Sequence, residues 1–260
     1  MRTVHLFRLD FVTDTSIEEL AETLVREGAD AQQSWKVVVT PNVDHLIHYR
    51  DSTALRHVAE SAHLVLPDGT PIVWASRLLG EPLTARLAGS DLFESWWEKT
   101  RAEMRPVLII AASDELATRL AAEHSAAHFI VPKMFDAHDE AAVEALVALI
   151  LADLYARPSD AIVVGLSMPK HHAVAQRLSD VPVPPGGAPL VLLLGASAEF
   201  HVGLQRRAPA WMQRAGLEWL YRLVSHPRRL ARRYLVDDIA FGPMVWREWR
   251  TRRSRSSISR

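Results

Sequence analysis

The chain has 260 residues, 48% hydrophobic and 23% charged, a composition that can bury a core as one large domain or one domain plus an appendage. It has no cysteine, so disulfides, thiolate metal sites and a cysteine nucleophile are excluded, and a reducing compartment is allowed. The net charge of −1 hides a division: residues 204–260 hold 14 Arg, no Lys and four acids, so this end carries +10 and the first 203 residues carry −11, which predicts an anionic partner for the basic end.

In chain order, Val4–Val12 predicts a strand or hairpin at a sheet edge. Ser16, with Glu19 three residues on, forms a capping box for a helix that Gly28 is expected to end. WKVVVT is a β-branched run typical of a buried parallel strand, and it ends at Thr40-Pro41-Asn42. Helical patterning resumes through HLIHY and again over Thr53–Ala62. A short apolar run then stops at Pro67-Asp68-Gly69, with a helix to Leu79 directly after it. Arg86, Gly89, Ser90 and Asp91 precede the helical stretch LFESWWEKTRAEM. The second half alternates more plainly: VLIIAA, HFIV, AIVVGL and LVLLLGA read as strands, separated by ELATRLAAEH, EAAVEALVALILADLY and Pro169–Leu178 as helices. Val181–Pro189 is a loop stiffened by proline. The alternation predicts an α/β fold with a mostly parallel sheet flanked by helices over residues 1–203.

Beyond Gly203 the pattern becomes a basic helical appendage, residues 204–250, with a break at Pro227. Four of the eight Trp lie there, interleaved with Arg and Leu, which suits a helix lying on an anionic membrane surface. A solvated basic helix, or nonspecific nucleic-acid binding, is the competing reading. Residues 251–260 have the composition of a disordered tail. The N-terminus lacks a signal-peptide core, and no apolar run approaches the ~18–20 residues of a spanning helix.

Asp68 is the first candidate for chemistry. It lies at the carboxyl end of a predicted strand, where ligands of open α/β sheets bind, and a carboxylate there suits a general base. Pro-Asp-Gly is also ordinary turn chemistry. Thr40 and Asn42 end the neighbouring predicted strand and belong at the same edge, with Asn42 fitting equally well as a helix cap. Arg86 and the Gly89-Ser90-Asp91 helix start would favour a phosphate, or Ser90 simply caps the helix. The turns Gly165–Pro169 and Gly195–Ser197 would admit a nucleotide close to the backbone, though neither matches a dinucleotide fingerprint or a P-loop. His171 and His172 are adjacent on a predicted helix, so they diverge rather than share a metal, and no Asp-x-Asp occurs.

Thr40-Pro41-Asn42, LVLPDGTPIVWASRLLG, Arg86–Leu92, VVGLSMPK, LGASAEFHVG and RRAPAWMQRAGLEWLYRL, in this order, resemble the WecG/TagA/CpsF glycosyltransferases. The resemblance covers nearly the whole chain. It implies a Rossmann-like core and an inverting, metal-independent transfer, without a cofactor, of an N-acetylmannosamine-type sugar from a UDP donor to a polyprenyl-diphosphate-linked acceptor. It implies Asp68 as the base, and substrate-binding roles for Thr40, Asn42, Arg86, Gly89, Ser90, Asp91, Ser167, Lys170 and Glu199. Arg207, Arg214, Arg222 and Arg229 of the appendage would face the lipid diphosphate. The expected setting is cytoplasmic, peripheral on the inner face of the membrane, in cell-surface polysaccharide synthesis, with no nucleic acid and with a homo-oligomer left open. The chain departs from the family pattern at Ala111-Ala112 (Gly-Gly in the family), at Ser167 (Gly) with His171-His172 (Gln-Glu), and at Ala198-Glu199 (Phe-Asp). A same-fold transferase using a soluble acceptor, and a sugar-nucleotide binder that has lost catalysis, are the alternatives the residues leave open.

Overall fold

The computed structural model describes residues 1–30, 32–209, 211–212, 218–225 and 238–258. Eight strands form one sheet: β1 (Arg2–Leu6), β2 (Leu9–Thr13), β3 (Lys36–Val39), β4 (Leu64–Val65), β5 (Val107–Ile110), β6 (Ala127–Ile130), β7 (Ala161–Val164) and β8 (Leu190–Leu193). Their order is β1-β2-β4-β3-β8-β7-β5-β6, with every pair parallel except the β1–β2 hairpin. Nine helices precede the appendage: α1 (Ile17–Ala29), α2 (Val43–Asp51), α3 (Thr53–Glu60), α4 (Thr70–Leu78), α5 (Gly89–Ala102), α6 (Asp114–Glu123), α7 (Glu140–Ala156), α8 (Lys170–Ser179) and α9 (Ser197–His201). A Glu218–Ser225 helix, a 3-10 turn at Asp238–Ala240 and a Phe241–Ile258 helix follow.

Period-2 alternation sends the strand side chains to two separate cores. Val37 and Val39 enter one and Val38 the other; β5, β7 and β8 divide the same way. The first core is roofed by Leu46, Tyr49 and Val58 of α2 and α3 and by Ile150 and Leu178 of α7 and α8. The second is roofed by Leu20 and Leu24 of α1, Trp96 and Trp97 of α5, and Leu116 of α6. Both faces being covered explains why these strands are apolar without interruption.

Local chemistry sets the boundaries. Ser16 and Glu19 form the expected reciprocal capping box. Gly28 does not end α1, which runs on to Ala29; a Cβ at Gly28 would sit 3.0 Å from the Asp160 carbonyl oxygen, so the glycine serves a close approach. The β1–β2 turn places Phe7 and Arg8 at φ of 53° and 69°, the left-handed geometry that matches hairpin twist, and Phe7 packs on Phe241 at 5.6 Å. The last helix continues through Ile258, into the stretch whose composition predicts disorder. Arg252 anchors it, pairing with Glu248 at 3.0 Å and Glu81 at 3.5 Å and donating to the His5 carbonyl, while Met244, Val245 and Trp249 pack on the first core.

The order of strands decides where a ligand goes. From β3 the chain moves through α2 and α3 to β4 on one side, while β8, formed some 150 residues later, pairs with β3 on the other. The reversal between β3 and β8 opens a crevice at the carboxyl ends of the strands, the position where open α/β sheets bind ligands.

Candidate active site

Three loops are tied together at that edge. The Asp68 N–H donates to the Pro41 carbonyl at 3.1 Å, and the Leu87 N–H donates to the Pro67 carbonyl at 2.9 Å. Gly69, at φ 145°, turns the chain into α4 in a conformation that only glycine adopts readily. Asp68 is thereby held at the first turn of α5, whose Gly89 N–H reaches Asp68 Oδ2 at 3.4 Å. A helix N-terminus beside a carboxylate stabilises its charged form. Gly89 permits this approach, because a Cβ there would lie 3.0 Å from Thr40 Oγ1 and 3.3 Å from Ser197 Oγ.

A cavity of about 180 Å³ opens at this point, lined by Asp68, Thr40, Asn42, His45, Ser90 and His171, among others. Thr40 Oγ1 donates to the Leu193 carbonyl at 3.3 Å, and Ser197 Oγ to the Leu194 carbonyl at 2.5 Å. Asn42 is the N-cap of α2: its side chain accepts from the His45 N–H, and its own N–H donates to His45 Nδ1. The capping reading of Asn42 therefore holds, and the same residue borders the cavity.

A second cavity of about 430 Å³ shares Ser90 and Phe200 with the first and is lined by Arg206, Arg207, Gln205 and Tyr221. Charged groups link the two. Arg86 donates to Glu218 Oε2 at 2.9 Å and to Asp91 Oδ2 at 3.3 Å, and Arg207 pairs with the other Asp91 oxygen at 2.7 Å. Burial works against the Arg86 charge, but Asp68, Glu218 and Asp91 together outweigh it and hold the guanidinium above its ordinary range. Among the described residues no group of three or more His, Asp or Glu is placed to hold a metal ion, and no helix is long and apolar enough to cross a membrane. A larger hollow of about 830 Å³ lies between α2–α3 and α7–α8, lined by none of these groups.

A carboxylate at a switch-point crevice, beside a helix N-terminus and a run of arginines, suits transfer of a group from a phosphate leaving group. The family model of the glycosyl transferase WecG/TagA/CpsF family matches residues 4–255. The chain belongs to this family. It is also 27% identical, over 238 residues, to the N-acetylglucosaminyldiphosphoundecaprenol N-acetyl-beta-D-mannosaminyltransferase of Bacillus spizizenii, a match spanning 89% of this chain and 87% of that protein. Family membership makes the chain a glycosyltransferase.

Most of the residues expected at the site of this glycosyltransferase meet there. Asp68, Thr40, Asn42, Ser90 and Ser167 line the inner cavity, Gly89 bonds Asp68, and Asp91 ties Arg86 to Arg207. Ser90 does not cap α5: the helix begins at Gly89 with Ala88 as its N-cap, so Ser90 sits inside the first turn. Two residues fall elsewhere. Lys170 Nζ contacts Met134 Sδ at 3.2 Å and lies over the Phe135 ring, away from the cavity. Glu199 accepts from Gln205 Nε2 at 2.5 Å, so it braces the outer cavity rather than lining the inner one. Of the appendage arginines, Arg207 borders the outer cavity; Arg222 lies on the Glu218–Ser225 helix, its side chain not described, and Arg214 and Arg229 lie outside the described residues. The sequence reading missed His45 as a cavity residue, and it marked His171 only as a departure from the family pattern near the expected nucleotide pocket. The signal was available: both follow the turns at strand ends, one helical turn inside α2 and at the start of α8.

Proposed function

We propose that this glycosyltransferase moves an N-acetylmannosamine-type sugar from a UDP-sugar to a lipid-diphosphate-linked acceptor, with inversion at the anomeric carbon, at the cytoplasmic face of the membrane during cell-surface polysaccharide synthesis. The observation that carries the reading is Asp68, fixed by the Gly89 N–H at the mouth of a cavity whose outer side is cationic. The Bacillus relative, by its name, places an N-acetyl-beta-D-mannosaminyl group on N-acetylglucosaminyldiphosphoundecaprenol, which favours the same pair of substrates here.

The chemistry is a single displacement. Asp68 takes the proton of the acceptor hydroxyl as its oxygen bonds the anomeric carbon. The bond from that carbon to the donor phosphate oxygen breaks, and UDP departs with the electron pair. Charge growing on the diphosphate is met by guanidinium groups of Arg86 and Arg207 and by the first turn of α5. Enclosing both substrates lowers the entropic part of the barrier. Exposed Trp211, Val224, Ile239 and Trp246 on the appendage, with Arg250 over the Trp246 ring at 4.7 Å, support contact with an anionic lipid surface.

The test uses UDP-N-acetylmannosamine and an N-acetylglucosaminyl-diphosphate lipid. Asp68→Asn is expected to lower kcat by ~10²–10⁴-fold while leaving donor affinity unchanged. Turnover of Asp68→Asn at near the wild-type rate refutes the base assignment, and a product that keeps the donor's anomeric configuration refutes the single displacement.

A further inference from the structure

One wall of the inner cavity is backed by a cluster of tilted imidazoles. The ring of His45 lies 5.8 Å from that of His171, which lies 4.6 Å from that of His172; Tyr49 closes the cluster, its hydroxyl 2.7 Å from His172 Nε2. His45 and His171 line the cavity; His172 does not.

Hydrogen bonds fix how the wall presents itself. The Leu166 carbonyl can only accept, so the His171 Nδ1 that lies 2.7 Å from it must carry the proton. The Nε2 of His171 is then a lone-pair acceptor. Burial, only partly offset by that carbonyl, depresses the His171 pKa to about 4, so the ring is neutral and the acceptor persists across the physiological range. The neighbouring hydroxyls of Thr40 and Ser197 spend their protons on the Leu193 and Leu194 carbonyls, which turns these oxygens into acceptors as well. This end of the cavity is therefore rich in acceptors and poor in cations, whereas the connected outer cavity holds Arg206 and Arg207. A phosphate suits the outer end. The inner end suits a group that carries several O–H or N–H donors and a face that lies against aromatic rings, which describes a sugar.

We propose that His171 is a specificity-determining residue of the transfer: its neutral Nε2 accepts a hydrogen bond from a hydroxyl or acetamido N–H of the donor's sugar, which lies in the inner cavity with its diphosphate toward Arg207. The proposal rests on the UDP-sugar reading above and adds the direction in which the donor lies. His172 and Tyr49 are positioning groups that hold the ring of His171 from behind.

Calorimetric binding of UDP and of UDP-N-acetylmannosamine, to wild type, His171→Phe and His171→Gln, tests it without requiring turnover. Phenylalanine keeps a ring but removes both the acceptor and the Nδ1–H donor to the Leu166 carbonyl; glutamine restores an acceptor and an N–H donor at similar reach. Wild type is expected to bind the UDP-sugar more tightly than UDP. His171→Phe loses about tenfold of that gain with UDP affinity unchanged, and His171→Gln recovers part of it. UDP-sugar analogues each lacking one donor group complete the cycle: the analogue missing the partner of Nε2 weakens wild type but is not penalised further in His171→Phe. Unchanged UDP affinity in each variant shows that it is folded. If wild type gains affinity from the sugar and His171→Phe keeps that gain in full, the role of His171 is refuted and the donor reading stands. If wild type binds no UDP-sugar, the donor reading fails and the proposal falls with it.

Discussion

Two buried neutral histidines make the fold sensitive to acid, and the effect can be worked out. Both titrate near 6.5 in an unfolded chain. In the folded protein, burial depresses His171 to about 4, and burial followed by the adjacent charge of His171 depresses His172 to about 2. The folded state resists protonation, so the stability these rings contribute is fully present above the unfolded value and is lost as pH falls below it. At pH 5 the unfolded rings are almost fully protonated and the folded ones almost fully neutral, which destabilises the fold by about 2 kcal/mol per ring, roughly 4 kcal/mol for the pair, relative to pH 7. That is a large part of the ~5–15 kcal/mol of a typical domain. Urea unfolding at pH 7 and pH 5 measures it. His124 and His128, also depressed chiefly by burial, add a background common to all variants. Against that background, His171→Gln should lose about 2 kcal/mol less than wild type between the two pH values, and the double variant with His172→Gln about 4 kcal/mol less. If the double variant loses as much as wild type, the rings are not held neutral and the tautomer argument at the cavity wall fails.

Three further outcomes follow from the geometry. Trp97 is fully buried, stacks on Phe93 at 5.6 Å and donates to Glu123 at 2.9 Å, so Trp97→Ala should cost about 3–5 kcal/mol in denaturant unfolding. Gly89→Ala drives a methyl to 3.0 Å from Thr40 Oγ1 and shifts the turn that holds Asp68; turnover should fall by about tenfold or more, with the circular dichroism spectrum unchanged. Glu218→Gln removes a charge-assisted bond of about 1.5–3 kcal/mol between Arg86 and the Glu218–Ser225 helix, and amide exchange in that helix should speed by about tenfold or more.

The architecture was legible because strands buried on both faces announce themselves: Val37–Val39, Val107–Ile110, Ala161–Val164 and Leu190–Leu193 are unbroken apolar runs followed by small or polar turns. Asp68 was legible for the same reason, as a carboxylate directly after such a run. Strand order was not, since nothing local tells β3 that its partner is β8 rather than a strand nearer in sequence. Side-chain direction on helices was also hidden. One step along a helix turns the side chain by about 100°, so Lys170 and His171, neighbours in a motif, face a methionine and the inner cavity respectively. The hairpin turn at Phe7-Arg8 carries neither Gly nor Asn, and the sequence could offer only an edge strand or hairpin there.

The division of the site into an acceptor-rich inner end and a cationic outer end follows from how parallel strands stop. Past its last ladder pair a strand leaves carbonyl oxygens that the sheet no longer satisfies, and buried ones require a donor. Here Leu193 at the end of β8, Leu194 just past it, and Leu166 after β7 receive theirs from Thr40, Ser197 and His171. Each of these side chains gives its proton to the backbone and keeps lone pairs on a residue that lines the crevice. The N-terminus of α5 then supplies the opposite polarity a few ångströms away, with Arg86 and Arg207 beside it. Strand ends thus make a surface rich in acceptors, and the helix start makes one rich in donors. Asp68 lines the acceptor-rich end and accepts from the first amide of that helix.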